Sequence, residues 1–143
     1  MYIAIATFQK SGRSPFAEAE ADYVKRLSAH AEVELIALKP TPTAGLPERL
    51  TRSAHVVGLF PEGRSFDSED LAAHLEALMN RGSSRLVFVI GGPDGMPPGV
   101  AGQVHERWSL SPLTFSHQLA RLVLLEALYR SFDILRGGRR YHR

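Results

Sequence analysis

Short runs of apolar and β-branched residues alternate along this chain with segments of helical periodicity, and this alternation constrains the fold more than any other feature. Strand-like runs occupy Tyr2–Phe8, 32–40, His55–Phe60 and 85–92, with a fifth strand predicted within 107–111. Helices are predicted at Pro15–His30, within 41–54, at 68–80 and 98–106, and over a long final segment at 116–136. Strands that alternate with helices predict an α/β domain with a mainly parallel sheet and helices on both faces.

Length and composition point to one soluble domain. The chain has 143 residues, and no repeat or low-complexity segment divides it, so we expect a single domain over residues 1–143. No apolar run approaches the roughly 20 residues of a membrane helix, and the first ten residues are typical of a strand and not of a signal peptide. There is no cysteine, and the acidic and histidine residues lack metal-ligand spacing. We therefore expect a cytoplasmic protein without a bound metal or a membrane partner.

The fourth strand-like run ends at two glycines, Gly91 and Gly92, and they have two interpretations. Glycine lets a ligand lie directly against the main chain. However, Pro93, Asp94 and Gly95 follow as an ordinary turn signal, and neither a dinucleotide fingerprint nor a Walker loop is present. In open α/β sheets, ligands bind beyond the carboxyl ends of the strands, so we expect the loops at 59–63, 91–95 and 110–115 to meet there.

The final helix is apolar around most of its circumference. Such a helix is either buried on all sides or half-buried in a partner, and a small α/β domain places its helices on its faces. A homodimer therefore explains the pattern better than a central helix, and Leu128 and Phe132 are expected to face outward. Glu126 lies within this apolar stretch, and an i, i+4 pair with Arg130 is favoured over a catalytic role.

Positive charge is concentrated in the last eight residues. Residues 1–135 carry a net charge of −2, and the remainder carries +4 from Arg136, Arg139, Arg140 and Arg143. Arginine pairs with phosphate bidentately and stacks on bases, so this tail favours a nucleic-acid partner. A solvated chain end would have the same composition.

Several segments together resemble one known family. They are "GRSPFAEAEADYVKRL" near the start, then "FVIGGPDG", "RWSLSPLTFSHQLARLVLLEALYRSFDILRG" and the terminal "YHR". Over nearly its whole length the chain resembles the bacterial ribosomal large-subunit pseudouridine N3-methyltransferases of the SPOUT class. The resemblance implies a C-terminal trefoil knot, a homodimer, and S-adenosylmethionine as methyl donor with no metal. It also implies a 23S rRNA substrate, pseudouridine 1915 of the intersubunit hairpin in the assembled ribosome.

The resemblance also assigns roles to particular residues. The implied cofactor site consists of Leu59, Gly91, Gly92, Leu110, Ser111, Pro112, Leu113, Thr114 and Phe115. Tyr141, His142 and Arg143 would lie near the partner subunit's cofactor and the RNA. The candidate RNA contacts are Arg121, Arg136, Arg139 and Arg140. The N3 proton of pseudouridine must leave, and His142 is the candidate acceptor because histidine titrates near neutral pH. Arg143 or Arg121 would stabilise the resulting imide anion.

Departures from the family pattern leave two other functions open. Phe60 stands where the family commonly has aspartate, the connection 39–54 is shorter, and the longer tail lacks the proline that often precedes the tyrosine. One alternative is a non-catalytic RNA- or ribosome-binding protein that uses the basic tail. The other is an enzyme of the same class that acts on a different RNA.

Overall fold

The computed structural model describes residues 1–9, 14–39, 45–92 and 94–137. Its strands and helices are β1 Tyr2–Phe8, α1 Ala17–Leu27, β2 Glu32–Leu38, α2 Glu48–Thr51, β3 His55–Arg64, α3 Ser68–Asn80, β4 Arg85–Ile90, α4 Pro98–Ala101, β5 Glu106–Trp108 and α5 His117–Leu135. The strands form one sheet in the order β2-β1-β4-β3-β5. All of its neighbouring strands are parallel, which confirms the predicted α/β class.

Each face of the sheet carries its own apolar core. Alternate residues of the central strands, such as Ile5 and Phe88, pack against α1, α3 and α5 on one face. The residues between them, such as Val87, pack against Leu50 of α2 and Val100 of α4 on the other face. The period-2 pattern of buried strands therefore places helices on both faces, as predicted. The trefoil knot stays a prediction.

Helix α5 is more deeply buried than the sequence suggested. Leu128 is fully buried and Phe132 is 5% exposed, and both belong to the core shared with α1 and α3. The prediction that these two residues face outward is therefore wrong, because α5 closes the core between the other two long helices. The apolar residues of α5 that stay partly exposed are others: Leu119, Leu122, Val123, Ala127, Tyr129, Ile134 and Leu135.

Strand β3 continues beyond the point where a turn was predicted. It ends at Arg64 and not at Phe60, because Trp108 of β5 pairs with both Leu59 and Arg64 across a bulge. A Cβ atom at Gly63 would lie 2.6 Å from the carbonyl carbon of Trp108, so only glycine fits there. The Pro-Glu-Gly signal therefore marks a bulge within the strand pair and not the end of a strand.

Glu126 belongs to a polar cluster on the outer face of α1 and α5. Its carboxylate accepts hydrogen bonds from Nε and Nη2 of Arg130 at 2.9 and 2.6 Å, and from the Tyr23 hydroxyl at 2.7 Å. The Tyr23 hydrogen bond, together with burial, raises the pKa of that phenol. This confirms the i, i+4 pair and shows that Glu126 also joins the two helices.

None of the helices among the described residues is both long and apolar enough to span a membrane.

Candidate functional site

A cleft opens at the carboxyl edge of the sheet, where β3, β4 and β5 end. Its volume is about 260 Å³. Its walls come from Leu59, Phe60, Pro61, Ile90, Gly91, Gly92, Gly95, Met96, Leu110, Ser111, Leu113, Thr114, Phe115 and Ala120. The three loops that were expected to meet therefore do meet, although they are far apart in sequence. Eight of the nine predicted cofactor residues line this cleft, and Pro112 is the exception.

The glycines at the end of β4 have a structural role as well as a place in the cleft. A Cβ atom at Gly92 would lie 2.5 Å from the carbonyl oxygen of Phe8, and one at Gly91 would lie 2.8 Å from the carbonyl carbon of Gly95. The Gly95 N–H donates to the Gly92 carbonyl at 2.9 Å, and Gly95 has a φ of +87°. Both interpretations of this stretch are thus compatible, because a tight turn presses against β1 and leaves bare main chain along the cleft. A Gly92→Val substitution would clash with Phe8 and disturb the fold, so a loss of cofactor binding in that variant would not identify the cleft as the binding site.

The side-chain walls of the cleft are mainly apolar. Leu113 is 71% exposed, which makes it the one large hydrophobic side chain classed as exposed among the described residues. It lies in a turn in which its own N–H donates to Ser111 Oγ at 2.9 Å. Ser116 caps α5 by accepting a hydrogen bond from the Leu119 N–H at 3.2 Å. An apolar cleft with main-chain polar groups suits a flat, partly apolar small molecule.

Phe60 lies in the cleft wall, at the position where the family pattern commonly has aspartate. Its ring packs back over the strand, where a Cβ atom at Gly58 would lie 2.5 Å from the ring atom Cε2. The guanidinium of Arg107 lies 4.4 Å from the centroid of the same ring. This position therefore contributes an aromatic surface and no carboxylate.

A carboxylate fixes the short strand β5, which leads into the cleft loop at 110–115. Oε1 of Glu106 accepts a hydrogen bond from Trp108 Nε1 at 2.9 Å, and the same oxygen lies 2.6 Å from Nε2 of His74 on α3. Nε2 of His55, the first residue of β3, bonds to its other oxygen. Burial alone would raise the pKa of Glu106, but the hydrogen bonds from Trp108, His55 and His74 outweigh it and lower that pKa. Glu106 thus connects β5 to β3 and α3.

Arg121 must be removed from the candidate RNA contacts. Its side chain is 5% exposed and bonds to Glu20 of α1, with Nε at 2.5 Å and Nη2 at 3.2 Å from the carboxylate oxygens. Glu20 is itself 3% exposed. The guanidinium is therefore directed into the α1–α5 contact, where Glu20 neutralises it and little of its surface is accessible to RNA.

The basic tail lies mostly outside the described residues. This applies to Arg139, Arg140, Tyr141, His142 and Arg143. Arg136 is described: its side chain is 53% exposed, and Nη2 lies 3.4 Å from Asp133 Oδ1 at the end of α5. Its position leaves it accessible to a large anionic partner.

Six cleft residues were not among the predicted cofactor residues: Phe60, Pro61, Ile90, Gly95, Met96 and Ala120. The last of these follows from helical geometry, because Ala120 lies one turn into α5, directly after the loop that lines the cleft.

Among residues 1–9, 14–39, 45–92 and 94–137, no group of three or more acidic or histidine side chains is arranged to hold a metal ion.

Comparisons with known proteins place these observations in context. A family model described as "Predicted SPOUT methyltransferase" matches residues 1–142. A protein of Sorangium cellulosum named "Ribosomal RNA large subunit methyltransferase H" is 38% identical over 140 residues, covering 96% of this chain and 97% of its own length. Proteins of the same name from Bacillus pumilus and Listeria monocytogenes are 35% and 36% identical over 154 residues, with the same coverage.

Proposed function

This chain belongs to the SPOUT methyltransferase family, and we propose that it transfers a methyl group from S-adenosylmethionine to N3 of a pseudouridine in 23S rRNA. The observation that carries the proposal is the cleft at the carboxyl edge of the sheet, lined by eight of the nine residues that the resemblance assigned to the cofactor. Relatives named as large-subunit rRNA methyltransferases over nearly the full chain support rRNA as the substrate. They also favour an enzyme over a protein that only binds RNA.

The cleft fits the chemistry of this cofactor. Its leucine and phenylalanine walls suit the flat adenine ring, and the bare main chain at Gly91 and Gly92 supplies N–H and carbonyl groups for polar edges. Of the lining residues that the structure describes, none has an acidic side chain. The cofactor, when bound, supplies an electrophilic methyl group on a sulfonium. The task of the protein is then to position the acceptor nitrogen in line with that methyl group.

The remaining chemistry concerns the proton on N3 of the acceptor. This proton has to leave before or during attack on the methyl group, so an adjacent base would accelerate the reaction. We propose that His142 accepts the proton and that Arg143 stabilises the developing imide anion. Tyr141 would lie beside them, near the cofactor and the RNA. Arg136, Arg139 and Arg140 would hold the rRNA through its phosphates. Arg121 is excluded from this set by its burial.

The length of α5 supports a homodimer in which each tail serves the other subunit. Helix α5 begins at the cleft, and its 19 residues carry the chain away from it by about 28 Å, at about 1.5 Å per residue. His142 follows Arg136 by only six residues, which span at most about 20 Å when fully extended. Even when fully extended back along α5, about 20 Å of tail would fall short of its own cleft, which lies about 28 Å away. Sedimentation equilibrium at micromolar concentration tests for the dimer.

The function is tested by mapping the methylated nucleotides of rRNA from cells with and without this protein. We expect one N3-methylpseudouridine of 23S rRNA to disappear with the protein, and to return when purified protein and S-adenosylmethionine are added to assembled ribosomes. If a methyl group disappears from a different RNA instead, the proposed substrate is wrong but the proposed enzyme class stands. A protein that bound ribosomes but not S-adenosylmethionine would contradict both.

Leu113→Ala separates cofactor binding from folding. Because Leu113 is 71% exposed, its removal should shift the melting temperature by less than about 2 °C. If the bound cofactor covers this side chain, losing about 2 kcal/mol of burial should weaken S-adenosylmethionine binding by roughly 10- to 30-fold. Isothermal titration calorimetry measures the affinity, and Leu135→Ala, at the far end of α5, is the control. Wild-type affinity in Leu113→Ala would place the adenine elsewhere.

A further inference from the structure

Two arginines beside the cleft lie over aromatic rings, and the proposed methyl transfer uses neither of them. The Cζ atom of Arg107 lies 4.4 Å from the centroid of Phe60, and that of Arg64 lies 4.4 Å from the centroid of Phe66. Phe60 is itself part of the cleft wall. The two arginines occupy opposite faces of the sheet, because Arg64 pairs with Trp108 and Arg107 pairs with Gly58. They therefore flank the β3–β5 edge where it reaches the cleft.

The aromatic supports of these arginines are fixed by packing. The ring of Phe66 packs edge-on against buried Trp108, with centroids 5.2 Å apart. The ring of Phe60 lies over Gly58. The backbone is held as well, because the Ser109 N–H donates to the Arg64 carbonyl at 2.8 Å, one residue before the cleft residue Leu110. Both guanidinium groups are thus held at defined positions.

The positive charges of Arg64 and Arg107 are largely not neutralised by acidic side chains, so they are accessible to an anionic partner. Arg64 is exposed and has no ion pair with an acidic side chain among the described residues. Arg107 is 49% exposed and lies 3.9 Å from the exposed Glu62, a distance and exposure at which an ion pair contributes little. A guanidinium stacked on a ring keeps its N–H groups free in its own plane, and the stacking reduces the entropy lost when those groups bind a phosphate.

We infer that Arg64 and Arg107 bind the phosphodiester backbone of the RNA strand whose target base meets the cofactor at the mouth of the cleft. The inference rests on the proposed function, since it takes RNA as the substrate of this cleft. A base that reaches the cofactor brings its flanking phosphates close to the β3–β5 edge, where these two cations lie. Phosphate contacts of this kind set the position of the strand and carry no sequence information of their own. They would add to the phosphate contacts proposed for the basic tail.

The test measures binding to purified ribosomes and to protein-free 23S rRNA between about 50 and 200 mM KCl, for wild type and for Arg64→Gln and Arg107→Gln. Each variant should bind roughly three- to tenfold more weakly at the lowest salt. Each should also lose about 0.7 from the slope of log affinity against log salt, and the double variant about 1.4. Arg64→Lys, which keeps the charge without the planar group, should lie between wild type and Arg64→Gln.

Two matched variants serve as controls. Arg81→Gln removes an exposed arginine at the end of α3, on the amino-terminal edge of the sheet, and should bind RNA like wild type. Glu62→Gln removes the carboxylate beside Arg107 and should strengthen binding. Melting temperatures within about 2 °C of wild type establish that all variants are folded.

The outcomes separate this inference from the proposed function. S-adenosylmethionine affinity should be unchanged in Arg64→Gln and Arg107→Gln, and a parallel fall in Arg107→Gln would instead assign that residue to the cofactor. Weaker binding to ribosomes with unchanged binding to free 23S rRNA would identify a protein partner and overturn the inference. If wild type methylates rRNA and both variants bind with its affinity and salt slope, the inference fails while the function stands. If wild type methylates no rRNA, the proposed function fails.

Discussion

Replacing Arg121 by alanine is expected to lower the free energy of unfolding by about 3–5 kcal/mol. The substitution leaves the carboxylate of Glu20, which is 3% exposed, in the α1–α5 contact without the guanidinium that neutralises it. A domain of this size typically has a total stability of only 5–15 kcal/mol, so the loss is large. Chemical denaturation followed by circular dichroism measures it, with a midpoint that falls and a slope that stays constant.

Two comparison variants identify the cause. Arg52→Ala removes one member of the exposed Arg52–Glu48 pair and should change stability by less than about 1 kcal/mol. Changing Glu20 and Arg121 together to leucine and methionine should recover most of the loss, because apolar residues of similar volume can replace a buried pair. A stable Arg121→Ala protein with weakened RNA binding would contradict this account and return Arg121 to the RNA contacts.

His142→Ala is expected to reduce the rate of methyl transfer to ribosomes by about 10²–10⁴-fold. The N3 proton of the acceptor would then have to leave to water without a positioned base. Cofactor and ribosome affinities should be nearly unchanged, because one neutral side chain contributes little to either surface. Single-turnover transfer of a labelled methyl group to ribosomes measures this rate.

The neighbouring arginines provide the contrast for this second prediction. Arg139→Ala combined with Arg140→Ala should weaken ribosome binding and reduce its salt slope by up to about 1.4, with the rate at saturating ribosome little affected. Deleting 139–143 should combine both losses while stability changes little. Methylation at the wild-type rate by the truncated protein would remove the tail from the catalytic group.

The strand and helix pattern could be predicted because each buried element carries its period locally. Runs such as that at β4 place alternate residues in two cores, and the resulting elements agree with the predicted ones within a few residues at most ends. The bulge at the end of β3 could not be predicted in this way. Local residues at 61–63 indicate a turn, whereas the observed pairing depends on Trp108, more than forty residues later.

The same limit applies to α5. An almost continuous apolar surface has no period that tells which side is covered by the chain itself, so Leu128 and Phe132 were assigned to a partner. The Arg121–Glu20 pair joins residues 101 positions apart, and an arginine in a helix is ordinarily a surface residue. The residues adjacent in sequence therefore predict neither the burial of Leu128 and Phe132 nor the Arg121–Glu20 pair.

The candidate cleft was anticipated in two different ways. The rule that ligands bind at the carboxyl ends of parallel strands predicted that three loops would meet. Only the resemblance identified the individual residues, because Leu110 and Leu113 are otherwise ordinary loop leucines. Conversely, the contact between Gly92 and the carbonyl of Phe8 needs the strand order, which places β1 beside β4. No pattern in the sequence contains that order.

The carboxylate of Glu106 has a consequence for the response of the protein to acid. Because the folded state lowers its pKa, its contribution to stability is complete above about pH 4.3, the ordinary titration point of a glutamate, and is lost as the pH falls through the lower folded value. Protonation there loosens β5 from β3 and α3 together. Since β5 has only three residues at the edge of the sheet, acid should detach the wall formed by 110–115 before it melts the central strands. A bound cofactor would then be released by a protein whose sheet is still folded.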